Sequence, residues 1–193
     1  MKRLSLVLVV VMAAALAASA GGISGKVSGV SGKSVVYVDT VAGKTFPAST
    51  QHPVMDQKGL LFVPHVLVVQ VGTTVDFLNS DNVQHNVFWP YIGDKKAGGG
   101  KNLGTWPKGE KRPWKFDQPG VAPLFCNVHP EMSGYVVVSP TPYFAETDAS
   151  GAYTIKDVPD GSYTVAAWHE GAKTQSKPVT VKGDTTQDFT LTK

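Results

Sequence analysis

Apolar residues in this chain come in short runs with polar neighbours alternating between them. Turn residues separate the runs, and no stretch beyond the N-terminal segment shows sustained helical spacing. Period-two runs of this kind predict strands. Ile23 to Val30 and Ser34 to Asp39 are the first two, divided by Ser31-Gly32-Lys33. Leu60 to Val71 is a longer run interrupted by Pro64, which removes a ladder donor and marks an edge or a bulge. Thr74 to Asn79, Val83 to Trp89, Arg112 to Asp117, Val121 to Asn127 and Tyr135 to Ser139 follow. Pro140-Thr141-Pro142 then breaks the pattern. Beyond it lie Ala152 to Lys156, Ser162 to Trp168, Pro178 to Val181 and Thr186 to Leu191, with Gly-containing turns between them. The pattern predicts an all-β chain built as two sandwiches.

The N-terminal segment is different. Lys2 and Arg3 precede an apolar run from Leu4 to Leu16, and Ala18-Ser19-Ala20 follows with small residues at the spacing signal peptidase accepts. This reads as a secretory signal peptide, residues 1–20, cleaved after Ala20. The run is short for a bilayer span, so no membrane span is expected after cleavage. The location expected is periplasmic or extracellular.

Charge and composition narrow the classes. The 193 residues are 42% hydrophobic and 17% charged, a globular balance rather than a disordered one. The formal charge of +3 falls to +1 once Lys2 and Arg3 leave with the signal. That is too small an excess to point to nucleic acid. The charge is nevertheless polarised. Asp94 to Lys115 holds seven basic and two acidic residues, so the rest of the mature chain is net negative. This stretch has little strand signal and contains Gly98-Gly99-Gly100, so it reads as a loop. It is either a solvated loop or a surface for an acidic partner, carried by Lys95, Lys96, Lys101, Lys108, Lys111 and Arg112.

The chemistry concentrates around the one cysteine. Cys126-Asn127-Val128-His129-Pro130-Glu131-Met132 sets a thiol, an imidazole and a thioether at C-x2-H-x2-M spacing. A loop joining two strands can turn all three inward. His85, in Gln84-His85-Asn86-Val87, supplies a second imidazole. Two imidazoles, a thiolate and a weak thioether form the donor set of a mononuclear blue-copper site. Structural zinc sites favour four Cys or His ligands. A thiol protease would need a histidine base and an orienting partner that the sequence does not display. An inert buried cysteine is the bland alternative. His52 with Met55 makes too few ligands for a second copper site. His65 reads as structural, at a bulge, and His169 as a residue of domain packing.

These motifs together resemble the cupredoxins of the plastocyanin and amicyanin type, over roughly Val54 to Ser139. The resemblance implies a Greek-key β-sandwich with His85, Cys126 and His129 as equatorial ligands of copper and Met132 as the axial one. It implies that Asn86 ties the two ligand loops together. It also implies that the edge of His129 is the exit point for electrons. Trp89, Pro90, Val128 and Pro130 are then either an apolar collar around it or residues of core and turn packing.

Thr147 to Ile155 and Val158 to Val165 resemble carboxypeptidase regulatory-like modules, a transthyretin-like sandwich. Such modules open with strands like Ile23 to Val27 and Val35 to Val38, here at the opposite end of the chain. The expected organisation is therefore an insertion. Residues 21–48 and 140–193 form the second small sandwich, and residues 49–139 are the copper domain placed between them. The function expected is a one-electron carrier, not an enzyme, serving a redox protein such as an acidic cytochrome or oxidoreductase. The rival is copper storage, delivery or surface scaffolding without electron relay.

Overall fold

The computed structural model describes residues 20–94 and 98–193, and no helix occurs among them. The proposed signal segment up to Ser19, together with Lys95 and Lys96, lies outside the described residues. The strands are β1 (Ala20–Ser28), β2 (Val35–Thr40), β3 (Val54–Gln57), β4 (Phe62–Val63), β5 (Val66–Gln70), β6 (Thr74–Asn79), β7 (His85–Tyr91), β8 (Gly99–Trp106) and β9 (Lys111–Lys115). They continue as β10 (Gly120–Phe125), β11 (Ser133–Ser139), β12 (Phe144–Glu146), β13 (Ala152–Pro159), β14 (Gly161–Trp168), β15 (Gln175–Val181), β16 (Thr185–Thr186) and β17 (Phe189–Thr190).

Two sheets enclose the first core. One runs β4-β3-β6-β9 and the other β5-β11-β10-β7-β8. Alternate residues of each turn inward, as period-two strands require. Met55, Phe77, Trp89, Trp106, Phe116 and Leu124 fill the space between the sheets. Cys126 and Met132 sit at one end of this same core. The large rings in it bury the most apolar area and so dominate its stabilisation.

The other two sheets run β13-β1-β16, with β17 also on β1, and β12-β2-β14-β15. β1 pairs antiparallel with β13, from Ala20 opposite Pro159 to Lys26 opposite Ala152. β2 lies between β12 and β14, with Val36 opposite both Ala145 and Ala167. Val36 and Tyr163 share one buried cluster with Ile23, Ile155 and Phe189. Two strands from the start of the chain thus lie in sheets otherwise built from residues 144–190. The two halves meet at a small apolar cluster of Val35, Val66, Val137 and Trp168.

The basic stretch before Arg112 is not the loop its sequence predicts, whereas Arg112 to Lys115 lies in the strand expected there. The described part of Asp94 to Lys115 forms β8 on β7 and β9 on β6, and so carries the chain from one sheet to the other. β8 is an edge strand exposed along nearly its whole length. It is held by backbone pairing and needs no apolar alternation, which is why the pattern hides it. The long run from Leu60 to Val71 is divided at Pro64 into β4 and β5.

Candidate metal centre

The donor atoms converge from three places in the fold. His85 opens β7, Cys126 follows β10, and His129 lies in the turn from β10 to β11. His85 and Cys126 are buried and His129 is half-buried. The two Nδ1 atoms are 3.0 Å apart, and each lies 3.9 Å from the Cys126 sulfur. A point in the plane of that triangle lies about 2.0–2.1 Å from both nitrogens and about 2.2 Å from the sulfur. Imidazole and thiolate bonds to a small divalent metal run at about 2.0–2.1 and 2.3 Å. The triangle therefore accepts an ion without moving its donors. Met132 is fully buried on the same turn, and its N–H donates to the His129 carbonyl at 3.0 Å. Two imidazoles and one thiolate, with a buried methionine on the same turn, suit copper better than zinc.

Neighbouring groups orient the donors. The Asn86 N–H donates to the Cys126 sulfur at 3.3 Å. Its side-chain oxygen accepts the Asn127 N–H at 3.2 Å, and its amide nitrogen donates to Asn102 and to the Gly104 carbonyl. Asn86 thus joins the β7 end, the Cys126 loop and β8. The His85 Nε2 faces a carboxylate oxygen of Asp81 at 3.0 Å. Since a carboxylate only accepts, Nε2 donates, and Nδ1 is left free to bind a metal.

Asp81 is a further residue of the site. Its carboxylate also accepts the N–H groups of Gly59 and Leu60, at 2.7 and 3.0 Å. The Leu60 N–H does most to lower the Asp81 pKa, which falls to about 2 from 3.8, with Gly59 and His85 adding to the effect. Gly59 and Leu60 both have positive φ, at 65° and 60°. A leucine in that region is strained, and the bond to Asp81 holds it there. The Asp-x3-His spacing was the available signal, but its meaning depends on a turn that tertiary contacts bring into place.

The remaining candidates separate. Trp89 does not belong to an exposed collar. It is 1% exposed, packs between Phe77, Phe116 and Trp114, and donates to the Gly99 carbonyl. Pro90 is exposed, but it lies five residues along β7 from His85, about 17 Å away at strand spacing. Val128 and Pro130 are exposed beside His129. Of the basic residues, Lys111 pairs with Asp76, Arg112 with Glu110 and Lys115 with Asp117. Lys108 bonds the Asn82 side chain, and Lys101 lies over the Trp114 ring. His52 is exposed near Asp76, whereas Met55 is in the core, so the two do not form a second copper site. His169 is buried against the Ser31 carbonyl.

Residues 49–139 match the family of copper binding proteins of the plastocyanin/azurin type, and residues 133–192 match the carboxypeptidase regulatory-like domain. The chain thus carries a copper-binding cupredoxin domain and a regulatory-like β-sandwich domain. The second match begins at Ser133, although β11 pairs with β5 and β10 in the copper domain's sheet. Strand pairing is the better guide to where that segment belongs.

Among solved structures the chain is similar to a reduced amicyanin variant, at 26% identity over 48% of this chain and 86% of that one, TM-score 0.42. It is similar to the purple cupredoxin of Nitrosopumilus maritimus, at 26% identity over 45% and 99%, TM-score 0.39. It is also similar to a copper-containing nitrite reductase of Thermus scotoductus, at 25% identity over 52% and 25%, TM-score 0.42. No curated protein matches the sequence.

Proposed function

We propose that the protein is an exported type 1 copper protein that carries single electrons between redox partners. The observation that carries this reading is the 3.0, 3.9 and 3.9 Å triangle of His85, His129 and Cys126 donor atoms. His85, Cys126, His129 and Met132 would hold the copper. Copper bound there supplies a one-electron couple. The chain's own contribution is a rigid donor set that changes little between oxidation states, held by Asn86 and Asp81.

The exit is the half-buried ring of His129. Around it lie exposed apolar side chains, Val128 at 46% and Pro130 on the same loop. Val83 precedes His85, and Leu60 and Leu61 sit on the turn bound to Asp81. An apolar rim of this kind favours close, short-lived docking. Lys101 and Lys108, without a carboxylate partner among the described residues, are the basic groups left to steer an acidic redox partner. Export is supported by the leader-like pattern up to Ala20. No helix among the described residues is long and apolar enough to cross a membrane.

The copper domain, residues 49–139, is read as an insertion into the sandwich made by residues 21–48 and 140–193. The β1–β13 and β2–β14 pairings support this. A chain in which a short linker replaces 49–139 should then still fold as a small sandwich, and failure to do so would count against the division.

The deciding experiment is to add Cu(II) to the metal-free protein. An intense thiolate-to-copper band in the visible should appear and be lost in Cys126→Ala. Met132→Leu should keep the colour and raise the reduction potential. Rapid, reversible electron exchange with a small redox protein should accompany them. A colourless chain holding zinc would overturn the reading, and slow electron exchange with copper release to an acceptor would favour storage or delivery.

A further inference from the structure

The junction between the two halves contains side chains that reach to within one residue of Met132. His65 lies between β4 and β5, and Glu170 lies just after β14 in the other sandwich. The His65 Nε2 is 3.0 Å from each carboxylate oxygen of Glu170. Its Nδ1 is 3.1 Å from the Ser133 carbonyl oxygen. Both partners are oxygen acceptors, so an imidazole N–H directed at either one ties the ring to it.

The backbone of His65 acts on the same segment, its carbonyl accepting the Tyr135 N–H at 2.9 Å. His65 therefore grips Ser133 and Tyr135, the residues that leave the metal loop. Gly134 between them has no room for a side chain. A Cβ there would lie 2.8 Å from the Phe62 Cβ and 3.1 Å from the His65 oxygen. The Tyr135 ring meets the His65 ring edge-on and packs against Trp168, two residues before Glu170.

The pair is a poor source of stability. His65 and Glu170 side chains are 47% and 37% exposed, and such pairs contribute little to folding. What the arrangement fixes is position, since it ties a carbonyl next to Met132 to a residue of the second sandwich. We propose that Glu170, acting through His65, is a positioning residue that anchors the Met132 end of the metal loop to the second sandwich. The effect on reduction potential rests on the copper reading above, whereas the grip itself exists in the metal-free chain.

The test uses the full chain with Glu170→Ala, His65→Ala, both together, and Glu170→Gln. Amide exchange in the metal-free protein is followed by NMR. The amides of Met132 and Tyr135 should exchange about five- to tenfold faster in Glu170→Ala, with those of β1 and β13 unchanged. At Met132 the double variant should match His65→Ala, since there the two residues act in series, whereas at Tyr135 the direct contact of Glu170 with its hydroxyl adds to the loss. Glu170→Gln keeps an acceptor for the ring and should retain most of the protection. In the copper-loaded protein the potential of Glu170→Ala should rise, as in Met132→Leu but by less. Wild-type exchange at Met132 and Tyr135 in Glu170→Ala, or equal acceleration throughout the chain, would overturn the proposal. If Glu170→Ala does not fold, His65→Gln leaves the sandwich intact and decides by the same exchange measurement. A wild-type chain that takes up no copper would sink the carrier reading and leave the exchange result standing.

Discussion

The backbone N–H of Asn86 points at the Cys126 sulfur across 3.3 Å, so the strand that carries one imidazole also fixes the thiol. The Asn86 side chain extends the connection to Asn127, Asn102 and Gly104. It is 3% exposed, so water cannot readily replace these bonds. Truncation to Asn86→Ala leaves the backbone bond to sulfur but removes the others. The metal-free protein should lose about 2 kcal/mol, the scale of a buried polar group left without its partners. Denaturant unfolding measures this. A loss under about 0.5 kcal/mol, the range of a neutral surface change, would show that the loops stay together without Asn86.

Asp81 adds a negative charge beside His85 and, by taking Nε2, leaves Nδ1 as the nitrogen that would face a metal. Asp81→Asn removes the charge and sets an amide N–H against the donors of Gly59, Leu60 or His85. With less negative charge near the centre, the more positive oxidation state is disfavoured. The reduction potential should rise while the visible band persists. An unchanged potential in a redox titration would mean that Asp81 serves only the turn.

The parts of this molecule legible in the sequence are those that local pattern decides. β6, β11 and β14 have an inward-facing apolar set, and alternation alone locates them closely. The four donors were legible because three share one short loop. What failed depended on pairing across the fold. β8 carries only Leu103 and Trp106 inward, so nothing in its composition marks it as a strand. Trp89 is a different case. His85, Val87 and Trp89 share one side of β7 by period two, so a buried ligand at His85 already implied a buried Trp89. That parity decides for core packing over a surface collar at Trp89. The His65–Glu170 pair spans 105 positions and has no local signature at all.

The apolar rim makes a separate prediction. Val128 is 46% exposed and adjoins His129, yet is not a donor. Val128→Asp should leave stability within about 0.5 kcal/mol, as surface changes usually do. The copper spectrum should also be unchanged. Close docking would now bury an unpaired charge, which is costly. Electron self-exchange, measured by NMR line broadening of mixed oxidation states, should slow about tenfold, equivalent to roughly 1.4 kcal/mol at the contact. Wild-type self-exchange would place the docking surface elsewhere.

Alkaline pH should destabilise the protein through its buried phenols. Burial is the main cause that raises the pKa values of Tyr37, Tyr135, Tyr153 and Tyr163 above 10. Asp39, Glu170 and Asp188 add to the rise at the first three, and at Tyr163 Tyr143 and then Asp160 do so. In the fold, the Tyr153 and Tyr163 hydroxyls donate to the Gln187 and Pro159 carbonyls, bonds a phenolate cannot make. A group whose folded pKa is raised holds its proton more tightly in the native state. Its stabilisation is complete below the unfolded value near 10 and is lost as pH rises toward the folded value. The free energy of unfolding should therefore show no tyrosine-linked decline up to about pH 9 and should fall above pH 10. Because Tyr153 and Tyr163 lie in the core of the second sandwich, the amides of β13 and β14 should lose protection early. Tyr153→Phe, which has no proton to lose, should shift that decline to higher pH. Phenolate absorbance and unfolding followed on the same samples decide the matter. If all the phenolates appear together near pH 10 with no loss of stability, the buried hydroxyls do not have this role.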